Sequence, residues 1–209
     1  MLNIVVFCSG KGTNLQAIIK TIHEKDIEAK VSLIISDKEK AYCLERAKHA
    51  KIRAIFVNPK NFPSKQKFEN RIIGYLKEEN IGLIVLAGFM RMLSPFFVQN
   101  YSNKILNIHP SLLPAFKGSA NAVADALDYG MKITGTTVHF VDEKLDNGPI
   151  VLQRAVEIAE NDNEDSLRQK IQQQEHILYP LAIQLFVEGR LKIEGRRVEI
   201  NPENYNPQD

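Results

Sequence analysis

Residues 3–14 read Asn-Ile-Val-Val-Phe-Cys-Ser-Gly-Lys-Gly-Thr-Asn, and this stretch decides the fold. Its first half is a continuous apolar run, which is typical of a strand buried on both faces of a parallel sheet. Its second half holds two glycines and leads into Leu15, Ile18, Ile19 and Ile22, whose spacing matches one face of a helix. The order of strand, glycine loop and helix predicts the first unit of an α/β fold.

The glycine loop, residues 9–14, predicts a site for an anion. Backbone N–H groups in such a loop can converge on a negative group at the helix N-terminus, where the helix dipole also favours negative charge. Thr13 or Asn14 can cap the helix or contact the anion, and a phosphate is the natural ligand. The structural alternative is a tight turn with a capped helix. A dinucleotide is disfavoured because its fingerprint needs a small residue where this chain has Leu15. Asp37 lies further along the chain than the fingerprint's acidic residue and is as easily a turn residue.

The alternation of strand and helix continues through the first hundred residues. Apolar runs predict strands at residues 30–37, 54–57 and 81–87, and helices are expected between them. Four successive β-α units indicate a parallel, right-handed, doubly wound sheet. Ligands of such sheets bind beyond the carboxyl ends of the strands. The glycine loop and residues 88–93 are both expected at that edge.

A polar pair follows the next predicted strand. Asn107 and His109 alternate with Leu106 and Ile108, so both polar side chains are expected on one face before Pro110 ends the strand. An amide and an imidazole that project together can hydrogen-bond one reacting oxygen. They are therefore a candidate catalytic pair, although this spacing alone is equally compatible with a structural role.

The pattern changes in the second half of the chain. Residues 134–142 and 150–156 read as two strands with no helix between them, which predicts antiparallel neighbours and a mixed sheet. Asp146 lies in the connecting loop, where an ordinary turn aspartate is the simpler interpretation. His139 falls in the first of these strands and is interpreted as a surface or hydrogen-bonded residue.

A long helix is predicted over residues 164–188, with Asn and Asp caps before it. Glu175 falls in the same stripe as Ile171 and Leu178, so its carboxylate should point inward, where it needs a partner or a role. The alternative is a helix rotated so that Glu175 reaches solvent. Pro180 is expected to kink or interrupt this helix. Residues 190–200 are predicted to form a short hairpin.

Composition excludes several classes of protein. The chain has 209 residues, 44% of them hydrophobic and 25% charged, and a formal net charge of +2, which indicates a globular protein that does not bind polyanions such as nucleic acid. Cys8 and Cys43 show no spacing for a disulfide framework or a zinc site, and no other metal motif is present. No export signal or membrane span is evident, so a cytoplasmic location is expected.

Five motifs together resemble the phosphoribosylglycinamide formyltransferases. They are Ser-Gly-Lys-Gly-Thr-Asn-Leu-Gln-Ala-Ile at 9–18, Leu-Ala-Gly-Phe-Met-Arg-Met-Leu-Ser-Pro at 86–95, Leu-Asn-Ile-His-Pro-Ser-Leu-Leu-Pro at 106–114, Leu-Asp-Asn-Gly-Pro-Ile at 145–150 and Gln-Glu-His-Ile-Leu-Tyr-Pro at 174–180. The resemblance implies a Rossmann-like formyltransferase fold with antiparallel strands in its C-terminal half. It also implies one domain over residues 1–200, with a phosphate-binding half at 1–100, a catalytic and folate-binding half at 101–200, and a polar tail at 201–209.

The activity implied by this resemblance is transfer of a formyl group from 10-formyltetrahydrofolate to the amine of N1-(5-phospho-D-ribosyl)glycinamide, in de novo purine biosynthesis. The implied partners are these small molecules, without metal, nucleic acid or membrane, and the implied assembly is a monomer or homodimer. The implied ribonucleotide contacts are Gly12, Thr13 and Asn14 at the phosphate and Glu175 at the glycinamide end. The implied folate contacts are Lys65, Met90, Arg91, Met92, Leu93 and Asn107.

In the implied mechanism, Asn107 and protonated His109 stabilise the oxyanion that forms when the amine attacks the formyl carbonyl. Asp146 is expected to raise the pKa of His109 and keep it charged, so that His109 can give a proton to the departing folate nitrogen directly or through water. Two departures from the family are evident. Lys65 stands where relatives often have Arg, so it can meet the folate tail as a point charge but without bidentate geometry. Residues 116–122 lack a histidine that many relatives carry, so the resemblance implies no folate-tail contact for this segment.

Three other functions fit parts of the pattern. A methionyl-tRNA formyltransferase should carry a further C-terminal domain and a basic surface, and a formyltetrahydrofolate hydrolase should carry a further N-terminal domain; neither is expected here. The rival from another class is a module that binds a nucleotide phosphate as a sensor without turnover. It predicts that changing His109 or Asp146 leaves the biological activity intact.

Overall fold

The computed structural model describes residues 1–201 and contains nine strands, six α-helices and one short 3-10 helix in that range. The strands are β1 (Leu2–Phe7), β2 (Ala29–Ser36), β3 (Arg53–Phe56), β4 (Leu83–Leu86), β5 (Ile105–His109), β6 (Ile133–Phe140), β7 (Ile150–Glu157), β8 (Leu191–Glu194) and β9 (Arg197–Ile200). The helices are α1 (Thr13–Glu24), α2 (Tyr42–His49), α3 (Lys65–Glu78), α4 (Pro95–Asn100), α5 (Ala122–Asp128) and α6 (Glu164–Val187), and the 3-10 helix is Pro59–Asn61.

The main sheet has seven strands in the order β3-β2-β1-β4-β5-β6-β7. The first five are parallel, whereas β6 runs antiparallel to β5 and β7 antiparallel to β6. The predicted fold class, a doubly wound and mainly parallel sheet with antiparallel strands in the C-terminal half, is confirmed. Strand β1 lies near the centre of the sheet, which explains why its sequence is apolar on both faces.

Helices cover both faces of the sheet. Leu15 and Ile18 of α1 and Ile183 of α6 pack with the outward side chains of β1 and β5 on one face. Phe68 and Ile72 of α3, together with α4, form the core on the other face. Because side chains alternate along a strand, β5 contributes Leu106 and Ile108 to the first core and leaves Asn107 and His109 on the opposite side, as predicted.

Helix α6 runs without interruption through Pro180, so the expected interruption did not occur. Proline removes one helical hydrogen bond, but here it is buried among core side chains, and its neighbour Tyr179 is fully buried with its hydroxyl 3.0 Å from the carbonyl oxygen of Leu86 and 2.9 Å from that of Leu106. These contacts hold the helix against β4 and β5 next to the proline. The packing therefore offsets the missing hydrogen bond.

Smaller differences concern short elements. Helices α4 and α5, of six and seven residues, were not predicted, because each carries too few turns for a periodic pattern. The hairpin within residues 190–200 is present as β8 and β9, with Gly195 in the turn at φ 60°. Most of the predicted polar tail, residues 202–209, lies outside the described residues. No helix within residues 1–201 combines the length and apolar character needed to cross a membrane.

Candidate active site

A cavity of about 440 Å³ opens beyond the carboxyl ends of β4 and β5. Its walls come from four segments, residues 88–93, 107–110, 118–122 and 141–146, with His139 and Arg168 between them. This volume is in the range of small-molecule sites, and the position is the one expected for ligands of a doubly wound sheet.

Asn107, His109 and Asp146 meet in the wall of this cavity. The Nδ1 atom of His109 lies 3.4 Å from Oδ2 of Asp146, and Nδ2 of Asn107 lies 3.4 Å from Oδ1 of the same carboxylate. The side chains of His109 and Asp146 are only 8% and 9% exposed. The three residues proposed from the sequence are therefore one contiguous cluster.

The loop that carries Asp146 is fixed from several directions. Asp146 has φ 46°, in the left-handed region, and its Oδ2 accepts a hydrogen bond of 3.1 Å from the backbone N–H of Gly118. Lys117 donates from Nζ to Oδ1 of Asn147 at 2.6 Å, and Asn147 donates to Asp142 at 2.6 Å. Asp146 is thus more than a turn residue, because its carboxylate joins two loops and β5.

Both ring nitrogens of His109 face acceptors of the protein. Nδ1 faces Asp146, and Nε2 lies 3.2 Å from the carbonyl oxygen of Phe116. Only the protonated imidazolium can donate to both acceptors at once. The Nε2–H group, which would give its proton directly to a substrate, is therefore in contact with the Phe116 carbonyl oxygen in this conformation. To act on a substrate, it must exchange this contact for one with a substrate atom.

His139 is a member of the site that the sequence interpretation missed. It is 1% exposed, its Nδ1 lies 2.7 Å from the carbonyl oxygen of Phe140, and its Nε2 lies 3.2 Å from Nδ2 of Asn107. Burial lowers the pKa of His139, although the hydrogen bond to Phe140 and the charge of Asp146 act in the opposite direction. The signal that could have found it is the β5–β6 register, which places His139 directly opposite Asn107.

Residues 88–93 present an apolar surface to the cavity. Met90 is 75% exposed and Met92 56% exposed, although both are large apolar side chains. Ser9 fixes the backbone beneath them: its hydroxyl accepts a hydrogen bond from the Met90 N–H at 3.1 Å and donates to Asp37 at 2.6 Å. Arg91 lies over the Phe68 ring and 4.0 Å from Asp37. Exposed apolar side chains on an ordered backbone are typical of a ligand surface.

The glycine loop ends at Gly12, which precedes the first turn of α1 with φ 69°. A β-carbon at Gly12 would lie 2.7 Å from Cβ of Cys43, so both the backbone angle and the space require glycine. Thr13 and Asn14 are the first residues of the helix, and neither provides the predicted side-chain cap at its N-terminus. The first helical hydrogen bond runs from Gln16 to Gly12, so the N–H groups before Gln16 have no partner within the helix and point toward the loop.

Glu175 points inward, as predicted, and is 7% exposed. Its Oε2 accepts a hydrogen bond of 2.9 Å from Nδ2 of Asn14, at the glycine loop. Burial raises the pKa of Glu175 to about 7, against the smaller opposite effects of the Asn14 hydrogen bond and the charge of Arg168. Oδ1 of Asn14 is also buried and has no hydrogen-bond partner within residues 1–201. This pair therefore has unused hydrogen-bonding capacity beside the glycine loop.

The structure separates the predicted site residues into two neighbouring groups. Asn107, His109, Asp146 and residues 90–93 line the cavity, whereas Gly12, Thr13, Asn14 and Glu175 lie outside its wall, with Glu175 joined to the glycine loop through Asn14. Lys65 begins α3, is exposed and does not line the cavity.

Within the described part of the chain, no cluster of three or more His, Cys, Asp or Glu side chains could hold a metal ion. Cys8 and Cys43 are buried free thiols.

Comparison with known proteins identifies the family of this chain. Residues 2–183 match the formyl transferase family model. The chain is 46% identical over 195 residues to phosphoribosylglycinamide formyltransferase of Haemophilus influenzae, covering 93% of this chain and 91% of that protein, and 41% identical over 207 residues to the Escherichia coli enzyme of the same name, covering 99% and 97%.

A solved structure extends the similarity to three dimensions. Glycinamide ribonucleotide transformylase 1 from Symbiobacterium toebii superposes with a TM-score of 0.94 at 46% identity, covering 97% of this chain and 95% of that one. The chains agree in sequence, length and fold, and not only in the architecture of the sheet. This protein therefore belongs to the formyl transferase family.

Proposed function

We propose that this protein transfers the formyl group of 10-formyltetrahydrofolate to the amine of N1-(5-phospho-D-ribosyl)glycinamide, a step of de novo purine biosynthesis. The observation that carries the proposal is the cluster of Asn107, His109 and Asp146 in the cavity wall, in a chain 46% identical to a phosphoribosylglycinamide formyltransferase. The two substrates are the only small molecules that this reaction requires, and the proposed chemistry uses no metal.

The ribonucleotide binds with its phosphate at the glycine loop. The N–H groups at the start of α1, which have no partner within the helix, and the helix dipole stabilise the phosphate charge. Glu175 and the free Oδ1 of Asn14 lie beside this loop and accept hydrogen bonds from the ribose hydroxyls. We thus assign Glu175 to the ribose, whereas the family resemblance implies a contact with the glycinamide end; the hydrogen bond from Asn14 supports this assignment.

The folate binds in the cavity with its ring system against residues 88–93. Met90 and Met92 supply exposed apolar surface, and the neighbouring backbone supplies hydrogen-bonding groups. Arg91 lies at the cavity wall, where its charge attracts the carboxylates of the folate tail. Lys65 contributes to the same tail only as a distant point charge, because its side chain is not part of the wall.

The chemistry takes place at the Asn107 cluster. The amine attacks the formyl carbon, the carbonyl oxygen becomes an oxyanion, and N–H groups of Asn107 and the His109 imidazolium donate hydrogen bonds to it. The bond between the formyl carbon and the folate nitrogen then breaks, and that nitrogen receives a proton from His109. The attacking amine loses one proton to solvent, so the proton count balances when His109 is recharged. Asp146 stabilises the imidazolium at 3.4 Å.

The test is an assay of the purified protein with both substrates, in which the formylated ribonucleotide and tetrahydrofolate are measured by chromatography. Equal amounts of the two products are expected. Formate released without the formylated ribonucleotide would identify a hydrolase. Binding of the ribonucleotide with neither product would identify a sensor module.

A further inference from the structure

His139 is fully enclosed beside the reacting groups and has no role in the mechanism so far. It lies on β6 opposite Asn107 on β5, in the antiparallel ladder that joins these strands. Its ring is 1% exposed, and its Nε2 atom is 3.2 Å from Nδ2 of Asn107. A buried imidazole in contact with an oxyanion donor can control which way that donor points.

The surroundings of His139 determine which ring nitrogen carries the hydrogen. Nδ1 lies 2.7 Å from the carbonyl oxygen of Phe140, and a carbonyl oxygen only accepts hydrogen bonds, so Nδ1 carries the hydrogen. A neutral imidazole has one N–H, which leaves Nε2 as an acceptor. The charged groups around the ring are Asp146, with Oδ1 3.8 Å from Nε2, Asp142 and His109. Burial lowers the pKa of His139, in agreement with the neutral form.

An acceptor at Nε2 has a direct consequence for Asn107. The side-chain amide of asparagine can place either its oxygen or its nitrogen on a given side, and the hydrogen-bond partners decide between the two. Nε2 of His139 and Oδ1 of Asp146 are both acceptors on the same side of the amide, so Nδ2 must lie there. One N–H points to His139, and the other has only the 3.4 Å contact with Asp146, so it is available to a substrate oxygen.

We propose that His139 is a positioning residue that holds the Asn107 amide with its nitrogen toward the cavity, so that Asn107 meets the formyl oxygen as a donor. This inference rests on the proposed formyl transfer. Without the acceptor at His139, only the 3.4 Å contact with Asp146 favours the nitrogen on that side, so the amide rotates more easily to present its oxygen, which would repel the oxyanion. His139 itself neither touches substrate nor transfers a proton.

The kinetic test is a cycle of four proteins, the wild type, His139→Leu, Asn107→Ala and the double variant. His139→Leu is expected to lower kcat by about 10- to 100-fold, less than the ~10²–10³ of deleting an oxyanion donor, with KM for both substrates changed by less than about threefold. In the Asn107→Ala background, the same substitution is expected to lower kcat by less than about threefold. If the effects of the two substitutions on kcat multiply in the double variant, the proposal is overturned, because His139 would then act independently of Asn107.

His139→Gln supplies the conservative control. The glutamine oxygen can accept the hydrogen bond from Asn107. The log kcat of this variant is therefore expected to return at least halfway from the His139→Leu value to the wild-type value. A His139→Gln protein that folds with the wild-type melting temperature but is no more active than His139→Leu would contradict the positioning role.

A measurement that does not depend on turnover separates this inference from the proposed function. In long-range ¹H–¹⁵N spectra of protein labelled at histidine, the resonances of His139 are assigned by their absence from a His139 variant. The expected pattern is a neutral ring with the hydrogen on Nδ1 between pH 6 and 8. The Nε2–H tautomer or a charged ring would overturn the proposal even if the enzyme is active. The expected tautomer in a protein that makes no product would instead reject only the proposed function.

Discussion

His109 is the residue on which the chemistry depends most, because it is the one group of the cluster that can carry a positive charge to the developing oxyanion. Its position between Asp146 and the Phe116 carbonyl defines two acceptors but leaves no N–H directed at the cavity. Hydrogen bonds of catalytic groups are often long before substrate binds and rearrange in the complex. The 3.2 Å contact with Phe116 is the one that we expect the substrate to replace.

His109→Ala is therefore expected to lower kcat by at least ~10²-fold, the usual effect of losing an oxyanion donor. The dissociation constant of the ribonucleotide should change little, because the glycine loop lies outside the cavity wall that contains His109. Steady-state kinetics and titration calorimetry measure the two quantities separately. A variant with normal kcat and weakened ribonucleotide binding would remove His109 from the chemistry.

Glu175 provides a prediction about stability and pH. Its pKa rises on folding from 4.5 to about 7 because the carboxyl group is buried. The unfolded chain thus releases this proton at lower pH than the folded protein, so the contribution of Glu175 is fully present below pH 4.5 and is lost as pH rises through about 7. Glu175→Gln keeps an acceptor for Asn14 but has no charge to bury.

The expected result is that Glu175→Gln raises the free energy of unfolding at pH 8 by about 3 kcal/mol at most and changes it little at pH 4.5. Urea unfolding at both pH values measures the difference. If the substitution destabilises the protein equally at the two pH values, the carboxylate is stabilised in the folded state by partners that offset its burial.

Single residues also show what sequence could and could not predict. The inward direction of Glu175 followed from its spacing with Ile171 and Leu178, because helical periodicity is a local property. His139 was missed because its contact with Asn107 depends on the pairing of two strands 32 positions apart. A pairing register over that separation has no local pattern in the sequence.

Among the elements, the turn from β1 into α1 is the most restrictive. Gly12 has a positive φ, and the space for a β-carbon is filled by Cys43 of α2. Gly12→Ala should displace the loop, weaken phosphate binding and raise KM for the ribonucleotide by more than about tenfold, the equivalent of ~1.4 kcal/mol. KM for the folate should change much less.

Gly74→Ala is the matched control, because it also adds one methyl group. Gly74 lies within α3, has an ordinary φ and has no atom within 4 Å of the added carbon. The kinetic constants should be unchanged, and the helix should be stabilised by up to ~1 kcal/mol. An equal rise in KM in both variants would mean that the Gly12 effect is not specific to the loop.

Long elements were more predictable than short ones. Helix α6 has 24 residues and a clear stripe, and its position was correct, but the tolerance of Pro180 depends on tertiary packing around Tyr179 that the sequence does not display. Helices α4 and α5 are held by their surroundings, and six or seven residues are too few for periodicity to identify them.

At the scale of the whole molecule, the mixed sheet explains why the two groups of site residues are neighbours. The parallel strands β1, β4 and β5 end at the same edge and bring the glycine loop, residues 88–93 and the Asn107 pair together. The antiparallel strand β6 then places His139 opposite Asn107, and the loop after it carries Asp146 to His109. The parallel part of the sheet follows from the alternation of strands and helices in the sequence. The approach of Asp146 to His109 depends instead on the left-handed backbone conformation of Asp146 itself.

Formyl transfer to the ribonucleotide amine can be followed by single-turnover reaction of the purified protein with ¹⁴C-formyl-labelled 10-formyltetrahydrofolate and N1-(5-phospho-D-ribosyl)glycinamide, in the presence of a metal chelator. We expect the label to appear on the ribonucleotide amine with one tetrahydrofolate formed for each label transferred, and we expect Asp146→Asn to slow this step at least ~10²-fold. Label that is released as formate, or that stays on the folate while both substrates are bound, would contradict the proposed transfer.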